Sequence, residues 1–200
     1  MTSGYPELVA AISSEITRKG PIPFVRFMEL ALYHPIYGYY VRQSDNVEHE
    51  RIGWSGDFYT SSDVHPILGR AIVGQARQMD DVLGCPAPFT IVEMGAGKGL
   101  LARDCLAAIH AGQEDFASRV RYVLIERSPV MRNFQRQNLA PWLGKAGLVT
   151  WMEGLDRLAP QGVTGLLFSN ELIDAFPVHR VRVKDGRTEE LYVDYRDGRF

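Results

Sequence analysis

Residues 93–99 read Glu-Met-Gly-Ala-Gly-Lys-Gly, a carboxylate followed at every second position by a glycine. Glycines spaced this way let a backbone turn sharply and let a ligand approach without meeting a Cβ. Several nucleotide ligands use such turns, and the exact spacing separates them. The dinucleotide fingerprint G-x-G-x-x-G/A needs a small residue where Leu100 stands, and Gly99 comes one position early. A phosphate loop needs Ser or Thr after its lysine, but Lys98 is followed by Gly99. A carboxylate immediately before the turn would also repel a phosphate. A ligand carrying an amino group and a sulfonium can use that carboxylate, directly or through water. Glu93 with Gly95, Gly97 and Gly99 therefore favours S-adenosylmethionine over a nicotinamide dinucleotide. Glu126, about 30 residues on, suits a ribose diol.

The elements that must carry these groups follow from hydrophobic spacing. Phe89, Ile91 and Val92 form a buried strand before the turn, and Leu101, Ala102, Cys105, Leu106 and Ile109 form a helical face after it. Residues 121–126 give a second strand ending in Glu126, and Ser128-Pro129 opens a helix over about 129–139. Residues 148–152 give a third strand with Glu153 at its end, and residues 165–169 a fourth running into Asn170-Glu171. Four carboxylates (Glu93, Glu126, Glu153, Glu171) thus sit at or near strand ends, where doubly wound α/β sheets bind ligands. They suit a ligand with hydroxyls, an amine or a positive charge. Upstream, residues 6–19 and 24–33 read as two helices joined by a rigid Pro-Ile-Pro connector. Tyr33, Tyr37, Tyr39 and Tyr40 then form an aromatic cluster, read either as packing or as the lining of a substrate entrance. Residues 41–56 read as a polar loop, and the small polar run from Gly56 to Asp63 as a ligand-contacting loop or a cap for a helix over about 64–83. Residues 112–118 read as a polar link. At the far end, Asp185-Gly186 marks a hairpin turn between residues 178–183 and 191–195. The alternating Arg180, Arg182 and Lys184 there are a solvated face or a docking strip for an acidic partner.

Composition bounds the rest. The 200 residues are 46% hydrophobic and 23% charged with a net charge of −2, which suits a sizeable core and gives no bulk basic signal for nucleic acid. Cys85 and Cys105 lack metal-ligand spacing, as do His34, His65 and His179, so no metal is expected. A reduced, cytosolic setting is expected. No apolar run is long enough for a membrane span, and no secretory signal is evident at the start.

Five segments together resemble the MidA-like family of class I methyltransferases: ALYHPIYGYY (31–40), GDFYTSS (56–62), IVEMGAGKGLLARD (91–104), YVLIERSP (122–129) and SNELIDAFPVHRV (169–181). The resemblance implies an α/β fold: a Rossmann-like class I methyltransferase sheet, domain 56–200, behind an N-terminal helical extension, residues 1–55. It implies S-adenosylmethionine bound by Gly95, Gly97 and Gly99, with Glu93 near the methionine end and Glu126 at the ribose. Gly56, Asp57, Thr60 and Ser61 would close over the cofactor, and Glu153 joins the cofactor set. Members of this family are much longer, and a full sheet of this class has more strands, so the chain is expected to be C-terminally truncated. The family includes the mitochondrial arginine methyltransferase of complex I assembly. The resemblance therefore implies a protein substrate, possibly a respiratory complex I subunit or its bacterial counterpart, in the cytoplasm of a bacterium or the mitochondrial matrix of a eukaryote.

If the acceptor is an arginine, its guanidinium arrives charged, with a pKa above about 12. A carboxylate must then orient it and offset the charge of the transition state. Glu171 is the expected anchor, Asp174 its support, and Asn170 holds the loop or the acceptor. The alternative for Asp174 is a turn cap, and for Glu171 a structural ion pair. A small-molecule methyltransferase and a non-catalytic assembly factor retaining the cofactor fold are the competing functions.

Overall fold

A computed structural model of the chain describes residues 5–41, 65–112, 114–145 and 147–200. In chain order it contains α1 (Pro6–Lys19), β1 (Ile22–Pro23), α2 (Phe24–Tyr33), α3 (Ile67–Val82), β2 (Phe89–Met94), α4 (Leu100–His110), α5 (Glu114–Arg119) and β3 (Val120–Ile125). These are followed by α6 (Pro129–Asn138), α7 (Ala140–Leu143), β4 (Val149–Met152), β5 (Gly165–Ser169), β6 (Val181–Lys184), β7 (Arg187–Glu190) and β8 (Tyr192–Val193). Contacts divide the chain into two units: Val47–Ile173, and Met1–Asn46 together with Asp174–Phe200. Among the described residues no helix is long and apolar enough to cross a membrane.

The Val47–Ile173 unit is built on a four-stranded parallel sheet in the order β4-β3-β2-β5. A parallel strand is covered on both faces, so its sequence is apolar almost throughout rather than alternating. In β2, Phe89 and Ile91 join Tyr122 and Leu124 of β3 on one face, against Val73 and Ala76 of α3 and Leu101, Cys105, Leu106 and Ile109 of α4. On the other face Val92 meets Val123 and Ile125, with Met94, Met152, Leu158 and Val163 packed around them. The strands expected from Phe89 to Val92 and at 121–126, 148–152 and 165–169 are thus β2 to β5, the first running on to Met94, and the order is that of a doubly wound sheet.

The link expected over 112–118 is instead partly helical. Its apolar anchor is Phe116, buried against Phe89 at 5.5 Å between ring centroids. Arg119, in its last turn, donates to both oxygens of buried Asp80, at 2.7 and 2.8 Å. A forked guanidinium on a carboxylate is a directional contact, and it ties α5 to α3 from a segment too short to show a periodicity.

The second unit joins the two ends of the described chain. Ile12 and Ile16 of α1, Ile22 and Leu30 form its core, with Leu8, Phe27, Val193 and Tyr195 packed against them. Gly20 ends α1 in a left-handed conformation, donating to the Ile16 carbonyl at 2.8 Å. The Pro-Ile-Pro connector holds a short strand, β1, which pairs antiparallel with β8. The hairpin turn is at Asp185-Gly186, both at positive φ as a two-residue hairpin loop requires. The strand returning from it is β7, however, and not residues 191–195, of which Tyr192–Val193 goes to β1. Arg182 pairs with Glu189 at 2.6 Å, and the Arg180 guanidinium lies 4.9 Å from the Phe24 ring centroid. Residues 174–200, assigned from sequence to the sheet domain, therefore group with the N-terminal helices.

Gly165 opens β5 at φ 146, and a Cβ there would stand 2.1 Å from the Thr90 carbonyl oxygen of β2. Backbone cannot yield as a side-chain tip can. Gly165→Ala is expected to cost about 3 kcal/mol or more in urea unfolding, by strain and strand separation together. A loss below about 1 kcal/mol would contradict this pairing geometry.

Candidate functional site

The carboxyl ends of β2, β3 and β5 lie side by side, and β2 sits where the strand order reverses. Crevices at such reversals are the usual ligand sites of open α/β sheets. From Met94 the chain enters the glycine turn, with Gly95, Gly97 and Gly99 all at positive φ. Gly95 N–H donates to the Ile125 carbonyl at 3.1 Å, so the turn starts in register with β3. A Cβ built on Gly97 meets nothing within 4 Å, which leaves open space on that side of the turn. Gly99 opens α4 with no side chain capping it. These three sequence-predicted residues are brought together as one surface.

Glu126 stands at the end of β3, half-buried. Its Oε1 accepts from the Ser128 backbone N–H at 2.8 Å and its Oε2 from Gln135 Nε2 at 3.3 Å. Ser128 caps α6 through the Met131 amide at 3.3 Å. Arg132 Nε donates to the Glu126 backbone carbonyl at 2.8 Å. Burial pushes the Glu126 carboxyl above its usual range, and the Ser128 amide and the Gln135 amide oppose that shift. The carboxylate is held by neutral donors rather than by a direct ion pair, a state suited to accepting further hydroxyl hydrogen bonds.

The other predicted residues are less uniform. Glu93 points into the core layer and is 2% exposed. Tyr122 O–H donates to its Oε2 at 2.6 Å. Glu153 is exposed at the end of β4, 3.8 Å from Arg132. Beyond β5, Asn170 is half-buried and Glu171 is exposed with φ 50. Leu172 packs on Gly95, where an added Cβ would come within 2.6 Å of its Cδ1. The 170–172 segment is thereby brought to the glycine turn. Asp174 is exposed and belongs to the other unit, where Tyr33 O–H donates to the Ala175 carbonyl at 2.9 Å. Tyr33 and Tyr40 stack at 5.6 Å there, and burial, aided by the Asp174 charge, holds both phenols above their usual range. Gly56, Asp57, Thr60 and Ser61 lie outside the described residues.

Two residues of the site were not singled out from sequence. Gln135 Nε2 donates to the Gly97 carbonyl at 2.8 Å, and Asn138 Nδ2 to the Lys98 carbonyl at 3.0 Å. Their signal is faint: Ser128, Gln135 and Asn138 recur at helical spacing, so polar groups occupy much of the face where α6 should be apolar.

The profile of a family described as S-adenosyl-L-methionine-dependent methyltransferase matches residues 67–200. The "Protein arginine methyltransferase NDUFAF7 homolog, mitochondrial" of Drosophila melanogaster is 31% identical over 212 aligned residues, covering 96% of this chain and 46% of the fly protein. The human "Protein arginine methyltransferase NDUFAF7, mitochondrial" is 25% identical, covering 90% and 43%. A Burkholderia thailandensis structure with S-adenosyl-homocysteine bound superposes with a TM-score of 0.76 at 29% identity, covering 97% of this chain and 48% of that one. The chain thus spans about half the length of the curated relatives it matches.

Burial pushes the Glu93 carboxyl from its ordinary 4.5 up to about 7, against the opposing Tyr122 hydrogen bond. A raised folded-state pKa favours the fold at low pH. The contribution is complete below pH 4.5 and is lost as pH rises through about 7. The difference amounts to about 3 kcal/mol. Urea unfolding of Glu93→Gln against the parent chain across pH 4.5 to 8 should show the variant gaining about that much relative stability toward high pH. A pH-independent difference would mean that Glu93 is ionised throughout.

Proposed function

This chain belongs to a family of S-adenosyl-L-methionine-dependent methyltransferases, and from that premise we propose that it binds S-adenosylmethionine at the ends of β2 and β3 and methylates a protein arginine. The observation that carries the reading is the open backbone at Gly97 beside a Glu126 carboxylate held by neutral donors. A nucleoside could lie against that turn without a Cβ in its way, and Glu126 offers two acceptor oxygens to its ribose. The residues therefore fit the cofactor. When bound, S-adenosylmethionine supplies a methyl group on a sulfonium, an electrophile that needs only a positioned acceptor.

The chain's own residues would divide the work as follows. Gly95, Gly97 and Gly99 let the cofactor approach the backbone, and Glu126 accepts from its ribose hydroxyls. Glu93 acts from beneath, as a buried carboxyl pushed up to about 7. Glu153 is a peripheral member of the set. Glu171 anchors the acceptor guanidinium and offsets its charge, with Asn170 beside it. The left-handed backbone at Glu171 supports a functional role, since that conformation costs a non-glycine residue about 1–2 kcal/mol. Asp174 keeps the role of support to Glu171 that the sequence suggests. The names of the relatives support an arginine acceptor. The family resemblance extends the reading to a respiratory complex I subunit or its bacterial counterpart, in the bacterial cytoplasm or the mitochondrial matrix.

Calorimetric titration should show binding of S-adenosylmethionine and none of NAD. Glu126→Gln should weaken that binding about 10- to 100-fold, the size of lost hydrogen bonds to a charged group. Labelled-methyl transfer into a lysate, followed by peptide identification, should place the label on arginine. On that acceptor Glu171→Gln should lower turnover about 100-fold with cofactor affinity unchanged. Label found only in small molecules would favour a small-molecule acceptor, and unchanged turnover would remove Glu171 from the mechanism.

A further inference from the structure

Gln135 is 0% exposed, on the inner face of α6. A glutamine costs free energy to bury unless its amide is hydrogen-bonded, and here the amide joins three separate elements. Nε2 donates to the Gly97 carbonyl of the glycine turn at 2.8 Å and to Oε2 of Glu126 at 3.3 Å. Oε1 accepts from the Trp151 indole N–H of β4 at 2.8 Å. The chemistry of the partners dictates the amide's orientation. An indole N–H only donates, while a peptide carbonyl and a carboxylate only accept, so a flipped amide would lose all three bonds. The side chain also fills the space over Gly99, where a Cβ would come 3.1 Å from Gln135 Cγ. Trp151 is held in turn, with the Arg136 guanidinium 5.1 Å from its ring centroid.

We propose that Gln135 is a positioning residue that locks the glycine turn to Glu126, so that the carboxylate is aimed at a ribose diol before the ligand arrives. It sets the preference of the site for ribosyl over deoxyribosyl ligands without touching the ligand itself. This rests on the S-adenosylmethionine reading above. The energetic logic is preorganisation: a carboxylate already held in one orientation loses little freedom when hydroxyls dock on it. Without the Gln135 donor, Glu126 keeps only backbone amides, those of Ser128 and Arg127, and the Gly97 carbonyl loses its tether to α6.

The test compares the full chain with Gln135→Met, which keeps the side-chain volume and removes every hydrogen bond. Calorimetry measures binding of S-adenosylhomocysteine and of its 2′-deoxy and 3′-deoxy analogues. The parent chain should bind S-adenosylhomocysteine at least about tenfold more tightly than either analogue. In Gln135→Met, affinity for S-adenosylhomocysteine should fall about tenfold and the gap to the analogues should close to within about twofold. Equal losses for all three ligands, with the gap intact, would mean a purely structural role and would overturn the proposal, as would unchanged affinities. Should Gln135→Met fail to fold, Gln135→Glu keeps an acceptor for Trp151 and turns a second carboxyl group, in place of the amide donor, toward Glu126. It should close the same gap, and a preserved gap would sink the idea. A second readout needs no ligand: NMR titration of the Glu126 carboxyl in the parent chain and in Gln135→Met, which leaves Arg132, the nearby charge, in place. Its midpoint should move up in Gln135→Met, and an unmoved midpoint would show that the tie does not exist. If the parent chain binds none of the three ligands, the S-adenosylmethionine reading fails, and this titration alone decides whether Gln135 holds Glu126.

Discussion

Everything in the sheet unit depends on β2 being hydrogen-bonded along both edges. It pairs with β3 from Phe89↔Val120 to Met94↔Ile125 and with β5 from Thr90↔Gly165 to Met94↔Ser169. All three strands therefore end at one level. The ladder runs past the end of β2, where Gly95 N–H still reaches the Ile125 carbonyl. The glycine turn is consequently a continuation of the sheet and inherits its rigidity. Sites carried on regular elements hold their geometry more closely than sites on free loops, and here the loop is held to strand geometry at its first residue.

That rigidity explains the division of labour among the carboxylates. Side chains along a strand alternate between faces. Glu93 shares the face of Phe89 and Ile91 and is drawn under the sheet, where Tyr122 meets it. Glu126 lies one residue past the end of β3, is freed from that alternation and turns to α6 instead. Glu171 lies two residues past β5, in a conformation no strand allows. These three carboxylates are thus buried, half-buried and exposed in turn, while Glu153, one residue past β4 and 3.8 Å from Arg132, is exposed.

Much of this was legible in the sequence because it is local. Periodicity alone outlines α1, α2 and β2, and the glycine spacing excludes two nucleotide classes without any knowledge of the fold. What was not legible depends on partners far along the chain. A six-residue segment such as α5 shows no period of its own and is helical because Phe116 and Arg119 find Phe89 and Asp80. The return strand of the hairpin is β7 because a two-residue loop fixes its register, while residues 192–193 are taken by β1. Gln135 reads as one more polar residue on an amphipathic helix, and only the three groups around it give it a task. Within the site, residue types announced themselves where backbone chemistry is unusual, at the glycines and at strand-end carboxylates. They stayed silent where an ordinary side chain does the holding.

The pairing of Ile22 with Val193 has a consequence for how the chain comes into being. The sheet unit is one continuous stretch, Val47–Ile173, set inside a unit made from two separate stretches. A ribosome delivers α1 and α2 before β2 to β5, and β8, which pairs with β1, only after them. Domains fold as units during synthesis, so a unit made from two separate stretches is complete only when the second has been delivered. The core of Ile12, Ile16 and Leu30 therefore lacks Val193 until β8 has been made. Until that strand is made, the apolar surface of α1 and α2 lacks one of its partners, and incompletely covered apolar surface is what chaperones and proteases act on.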